Sequence, residues 1–324
     1  AHVAMVDEGL KCFAAGDELA IAGRVTAGNR LRCTVFIPLW QALAADFEPE
    51  PDCAPLFADF RDYWDRIMAG AMQVEIPDPL LSSIIRASQA HCLLAARNER
   101  DGATVAAWIA SDRYGPLESE AHAPIYGMDL MGHRDYARRS LDFFVQRYKP
   151  DGLLTTGYTL MGTGWHLWTL ARHHALWQDK PWFDLVAPKA AQAAQWIARQ
   201  CEKTRRTNRS PEETPEAGLV PPGVGADWNR FAYRFAIQAH YYAGLREIAD
   251  ALNRIRHPQA GRLSGEADRF REAILYAYRW NQARTPAWPL FDGLCIPAYS
   301  GMLYGFGTTG EMIPGEDGNR SWAY

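Results

Sequence analysis

Long apolar runs, a basic excess and paired cysteines are all missing from this chain. No stretch approaches the ~18 apolar residues that cross a bilayer and no cleavable leader is recognisable, so a soluble compartment, cytoplasmic or periplasmic, is expected and a membrane partner is not. The formal net charge is −4 and the isoelectric point about 6.2. Such a chain lacks the positive field that a sequence-independent hold on phosphates needs, which argues against nucleic acid as a partner. The six cysteines, Cys12, Cys33, Cys53, Cys92, Cys201 and Cys295, form no CxxC pair. Neither a zinc knuckle nor a redox dithiol is indicated, and free thiols are expected. The nine histidines include no HExxH, and no GxSxG or GK[ST] occurs. Metal, acyl-enzyme and nucleotide-phosphate chemistry are therefore weak candidates, and no cofactor is expected.

What the chain does have is apolar mass and aromatic rings. Its 324 residues are 48% hydrophobic and 22% charged, enough for a large core. Twelve Trp, fourteen Tyr and thirteen Phe include several in Gly- or Pro-containing segments, where filling a core explains them less well. Such rings stack on sugar faces, or they fill gaps between helices; both readings stay open for any single Trp.

Residues 1–46 read as a β-rich segment. Glu18–Gly23 and Leu31–Pro38 carry β-prone residues on either side of the turn at Ala27-Gly-Asn29. Opening at Ala1 rather than Met, this segment is expected to be the end of a larger β domain. Three prolines between Phe47 and Pro55 exclude a regular helix there. With the aromatic-faced helix expected around Leu56–Met72, residues 47–75 form a linker. From residue 76 to 324 the pattern is helical almost throughout. Asp78-Pro79 offers a cap and a first-turn proline ahead of the stripe Leu81, Ile84, Ile85, Ser88 and Cys92. Further stripes run through Ala137–Tyr148, Trp165–Trp177, Phe183–Cys201, Ile237–Leu252 and Phe270–Tyr278. No strict repeat is present, which disfavours a solenoid. Amphipathic helices joined by long aromatic-containing loops suit a helical toroid, whose loops at one end line a pocket.

Four polar and aromatic segments interrupt the helices. Residues 112–129 hold Glu118, Glu120, His122, Tyr126 and Asp129; they form a pocket wall, or Ser119 caps a helix and the two glutamates complement its positive end. Residues 155–166 place Gly157, Gly162 and Gly164 beside Tyr158, Trp165 and His166. Residues 203–230 make a long loop with Glu216, ending in Asp227-Trp228-Asn229, where the Asp is a helix cap or a reacting group. Residues 286–324 add Trp288, Asp292, Tyr304, Glu311 and Glu316.

Three motifs make the chain resemble the (α/α)6, or six-hairpin, glycosidase superfamily. Val74-Glu-Ile-Pro-Asp-Pro-Leu-Leu-Ser-Ser is similar to the segment leading into the first barrel helix. Gly162-Thr-Gly-Trp-His-Leu-Trp with Trp177-Gln-Asp179 resembles the helix ending in the "tgD" turn. Gly225-Ala-Asp-Trp-Asn resembles the "GgDWND" loop of the phosphorylases, although Arg230 stands where that pattern has a second acid. The resemblance spans residues 56–324. It implies a mainly α fold, an α/α toroid preceded by the remnant of a β-sandwich, and a glycoside hydrolase acting on an oligo- or polysaccharide with inversion. By this resemblance Asp227 protonates the leaving oxygen. Glu216 is the first candidate for the second catalytic carboxylate, with Glu118 and Glu120 as alternatives, and Glu118, Glu120, Tyr126, Tyr158, Trp165, His166, Trp228, Asn229 and Trp288 are candidates to bind substrate. Inversion needs the carboxyls ~6.5–9.5 Å apart. A polysaccharide lyase or sugar epimerase on the same toroid, and a non-catalytic carbohydrate-binding protein, remain the alternatives.

Overall fold

The computed structural model describes residues 3–6, 10–15, 18–24, 26–28, 30, 33–36, 53–107, 115–155, 161–205, 214–225, 228–289, 292–297 and 300–305. The chain divides into two compact units, Ala1–Ala69 and Gly70–Tyr324. In the first unit, β1 (Val3–Val6) pairs antiparallel with β4 (Cys33–Phe36), and β2 (Leu10–Ala15) with β3 (Glu18–Gly23). The two strands read from the sequence are therefore each partnered by a strand nearer the N-terminus, not by one another. Helix α1 (Cys53–Ala69) completes this unit, with Phe57 and Phe60 stacked at 6.4 Å on its exposed face.

The second unit is mainly helical. Asp78 caps α2 (Pro79–Ala95), its Oδ1 accepting from the backbone N–H groups of Leu80 at 2.8 Å and Leu81 at 3.2 Å, and Pro79 costs nothing in the first turn. The apolar stripe expected to bury this helix does not: Leu81 and Ile84 are 47% and 50% exposed, and Gln89 is its one buried residue. The short hairpin β5 (Arg97–Glu99) and β6 (Thr104–Ala106) follows.

Six further helices then form three hairpins: α3 (Glu118–Leu130) with α4 (Arg134–Val145), α5 (Gly162–Trp177) with α6 (Lys180–Arg205), and α7 (Phe235–Arg254) with α8 (Ala260–Gln282). Connectors of two to five residues leave no path except reversal, so each pair is antiparallel. At the tightest, Gln178 adopts a left-handed φ of 51° and closes α5 on the His174 carbonyl, while Asp179 accepts from the Trp182 N–H at 3.2 Å to open α6.

Alternate helices also pack on one another, and in parallel. Along α3, Glu118 lies against Gly162, His122 on Trp165, Tyr126 on Trp168 and Asp129 on His173, so contacts advance along α5 in step. Between α5 and α7 the same order holds from Trp165 with His240 to Arg172 with Glu247. The other layer repeats it. Trp182 and Lys189 of α6 reach Asp142 and the Val145 carbonyl of α4, and Gln195 and Arg205 of α6 meet Gln259 and Glu266 ahead of and within α8. The N-termini of α3, α5 and α7 therefore lie at one end. The stripe Ile237, Tyr241, Leu245, Ile248 and Leu252 is buried to 4% or less.

The α5–α7 approach depends on two glycines. A side chain at Gly244 would run into the carbonyl oxygen of Gly164, and one at Gly164 would come within 2.7 Å of the His240 carbonyl oxygen. Backbone cannot yield as a flexible side chain does. Gly244→Ala is therefore expected to destabilise the protein by about 2 kcal/mol despite its gain in helix propensity of ~1 kcal/mol. Gly265→Ala on α8, with no neighbour closer than 4.0 Å, is expected to stabilise it by about 0.5–1 kcal/mol. Urea midpoints of the two variants should move in opposite directions.

Candidate active site

The exposed side of the α3–α5–α7 layer carries aromatic and polar residues instead of aliphatic ones. His122 and Tyr126 come from α3, Trp165, Trp168 and Arg172 from α5, and His240 and Glu247 from α7; all are half-buried. The spacings of three, four and seven residues keep each set on one helix face. The imidazole of His122 stacks on Trp165 at 3.8 Å and 7°, and that of His240 lies 4.0 Å from the same indole at 38°. Two rings cannot both sit that close to the centre of one face, so the imidazoles occupy opposite faces of Trp165. One layer deeper, Tyr126 meets Trp168 edge-on at 4.7 Å. Arg172 sits beside the Tyr126 hydroxyl and 3.8 Å from Glu247.

Burial lowers the basicity of both imidazoles. For His122 the Ser119 carbonyl, 2.8 Å from Nδ1, opposes the shift in part; for His240 burial and the nearby His122 together bring the value down to about 4. Both rings are neutral near pH 7.

At the N-terminal end of this layer, two carboxylates are held by different means. Glu118 opens α3 and is only 2% exposed, filling the space left by the missing side chain of Gly162. Glu216 sits in the turn 214–219, which is tied to α6 by Thr204: its hydroxyl donates to the Leu219 carbonyl at 2.7 Å and accepts from the Gly218 N–H at 3.0 Å. Gln238 of α7 clasps Val220 through both its N–H and its carbonyl, at 2.8 and 2.9 Å. Asn281 holds the segment 300–305 on the other side, accepting from the Tyr304 N–H at 2.7 Å, and the Tyr304 hydroxyl donates to Glu216 Oε2. Burial and the Glu216 carboxylate raise the Tyr304 and Tyr233 phenols.

Several residues singled out from the sequence take other positions. Glu118, Glu120 and Tyr126 lie on helix α3, not on a loop, and Leu117 rather than Ser119 is the cap residue. Glu120 is half-buried in the first turn, as the helix-dipole reading has it. His166 is 2% exposed, its Nδ1 2.5 Å from the Tyr148 hydroxyl and its Nε2 3.3 Å from the Leu141 carbonyl. One step along a helix turns a side chain by about 100°, which puts His166 in the core while its neighbour Trp165 lines the exposed side. Trp165 has both faces covered and offers an edge. Trp228 and Asn229 belong to β8 (Trp228–Ala232), paired with β7 (Gly223–Gly225), and Trp288 to β9 (Ala287–Pro289), paired with β10 (Cys295–Pro297); their side chains lie outside the described residues. So do Tyr158 and Asp227. The expectation that Asp227 opens a helix does not hold, because α7 begins at Phe235 with Arg234 as its cap residue.

Trp168, Arg172, His240 and Glu247 escaped the sequence reading. Their signal was a second stripe: His240 and Glu247 each precede a buried residue of the α7 apolar stripe by one position, which puts them on a half-buried face beside the core face.

The core imidazole gives a pH dependence. Burial brings His166 down to about 4 from an ordinary 6.5, so below pH 6.5 the unfolded chain binds a proton that the folded one refuses. Stability is expected to fall as pH drops from about 6.5 to about 4, by on the order of 3 kcal/mol from this residue. His166→Gln should flatten that slope in urea titrations; an unchanged slope would assign the loss elsewhere.

No helix among the described residues is long and apolar enough to cross a membrane, and among them no group of three or more His, Cys, Asp and Glu is arranged to hold a metal ion. No protein-family model, curated protein or solved structure matches the chain.

Proposed function

We propose that the chain is a glycoside hydrolase built on part of an α/α toroid, cleaving an oligo- or polysaccharide by inversion at the N-terminal end of α3, α5 and α7. The observation that carries this reading is the parallel layer itself, which gathers Glu118, Glu216 and an aromatic, imidazole-bearing face at and below one end. The two parallel layers of alternating helices are the packing a toroid requires, and the N-terminal antiparallel strands are consistent with the end of a β-sandwich. In this reading Asp227, between the paired strands β7 and β8, donates the proton to the leaving oxygen. A base at the same end takes a proton from the attacking water. Tyr126, Trp168 and Arg172 contact the sugar rings and hydroxyls.

The neutral imidazoles on Trp165 favour a second reading, a lyase or epimerase, in which the proton comes from a sugar carbon instead of water. Incubating the protein with a panel of neutral and acidic glycans separates the two. New reducing ends without ultraviolet-absorbing products support hydrolysis; unsaturated uronates mean a lyase; an epimerised sugar with no cleavage means the third chemistry. Binding without any reaction would leave a carbohydrate-binding protein.

A further inference from the structure

We infer that His122 is the proton acceptor of this site, with Trp165 and His240 as the residues that position it. The inference rests on the glycoside-hydrolase reading and names the base that reading leaves open. A base needs a lone pair in a known place. Nδ1 of His122 is 2.8 Å from the Ser119 carbonyl, which can only accept, so Nδ1 carries the proton and the lone pair lies on Nε2. The ring cannot swing away. Trp165 covers it at 3.8 Å and 7°, and His240, pressed on the opposite face at 4.0 Å, holds the indole in turn.

The nearby carboxylates are less suited to the role. Glu118 is buried to 2% exposure beneath Gly162, and Glu216 has Oε2 engaged by the Tyr304 hydroxyl. Burial also keeps the His122 imidazole unprotonated at neutral pH. In the step, a water oxygen bonds to the anomeric carbon while His122 Nε2 takes one of its protons. The glycosidic C–O bond breaks with its electron pair on the leaving oxygen, which takes the proton of the Asp227 carboxyl.

Two measurements on the full chain test this. Without any substrate, diethyl pyrocarbonate should modify His122 in the native protein while the buried His166 and His173 stay unmodified; a native His122 that resists the reagent overturns the proposal. With a glycan that the wild type cleaves, His122→Ala should lose at least ~100-fold in kcat. Added imidazoles should restore it in proportion to their basicity. Rescue that ignores basicity would mean a filled cavity, and no rescue would mean no proton transfer; either overturns the proposal. Trp165→Ala should lower kcat more than it raises KM, and Trp165→Phe should recover most of the loss. A wild type that cleaves no glycan overturns the hydrolase reading and this step with it. Cleavage by the wild type with an unrescued His122→Ala overturns this step alone.

Discussion

Asp129→Ala is expected to cost about 3–5 kcal/mol, the largest loss of stability from any single side chain described above. Asp129 is 2% exposed near the end of α3, and its carboxylate accepts from Nδ1 of His173 at 3.0 Å and from Nε1 of Trp177 at 2.6 Å. Both donors stand on α5, so one carboxylate fastens α3 to α5 near their C-terminal ends. His173 is itself fully buried, and its ring meets Trp182 of α6 edge-on at 5.0 Å. Trp182 in turn donates to Asp142 of α4 at 2.9 Å. Removing Asp129 would leave the buried His173 N–H and the partly buried Trp177 N–H without this acceptor, which is why the cost exceeds that of an ordinary hydrogen bond. Asp129→Asn keeps one acceptor and should fall between the two. Urea unfolding of the wild type and both variants measures this; a loss under 1 kcal/mol for Asp129→Ala would show that the network is dispensable.

The helices were legible because their cores obey one period. Ile237, Tyr241, Leu245, Ile248 and Leu252 read as one stripe and are one buried face, and Asp78-Pro79 read as a helix start and is one. Two things were not legible. The stripe on α2 obeys the same period yet remains exposed, since periodicity says which residues share a face but not what covers it. The site residues were mixed with core residues on the same helices. Trp165 and His166 are adjacent and equally aromatic, and only the rotation between them separates an exposed face from the core. Glu118 and Tyr126 looked like loop residues because Pro124 and Gly127 lie among them, and tertiary packing on α4 and α5 overrode that weak local preference.

The second large effect concerns Asp227. Asp227→Asn is expected to lower turnover of an unactivated glycoside by at least ~100-fold, the scale of losing a positioned acid. A general acid must hold its proton near neutral pH, and a nearby helix N-terminus would oppose that by ~0.3–1 kcal/mol. Because α7 starts at Phe235, with β8 between it and Asp227, this opposition is weaker than the sequence alone suggests: the effect fades within the first turn. For the same reason no helix cap is lost, and the variant should fold normally by circular dichroism. A glycoside with a good leaving group needs little protonation and should lose much less. Equal, near wild-type rates on both substrates would remove Asp227 from the reaction.

A glycan bound by this protein is expected to sit at the N-terminal end of α3, α5 and α7. Hydrogen exchange of Asp227→Asn, with and without the glycan that the wild type cleaves, tests it most directly. Slowed exchange is expected in residues 115–126, 161–172, 214–225 and 228–235 together, since the first two segments pack in parallel and Gln238 of α7 holds Val220 at the same end. Protection confined to other parts of the chain, or none at saturating glycan, would contradict it.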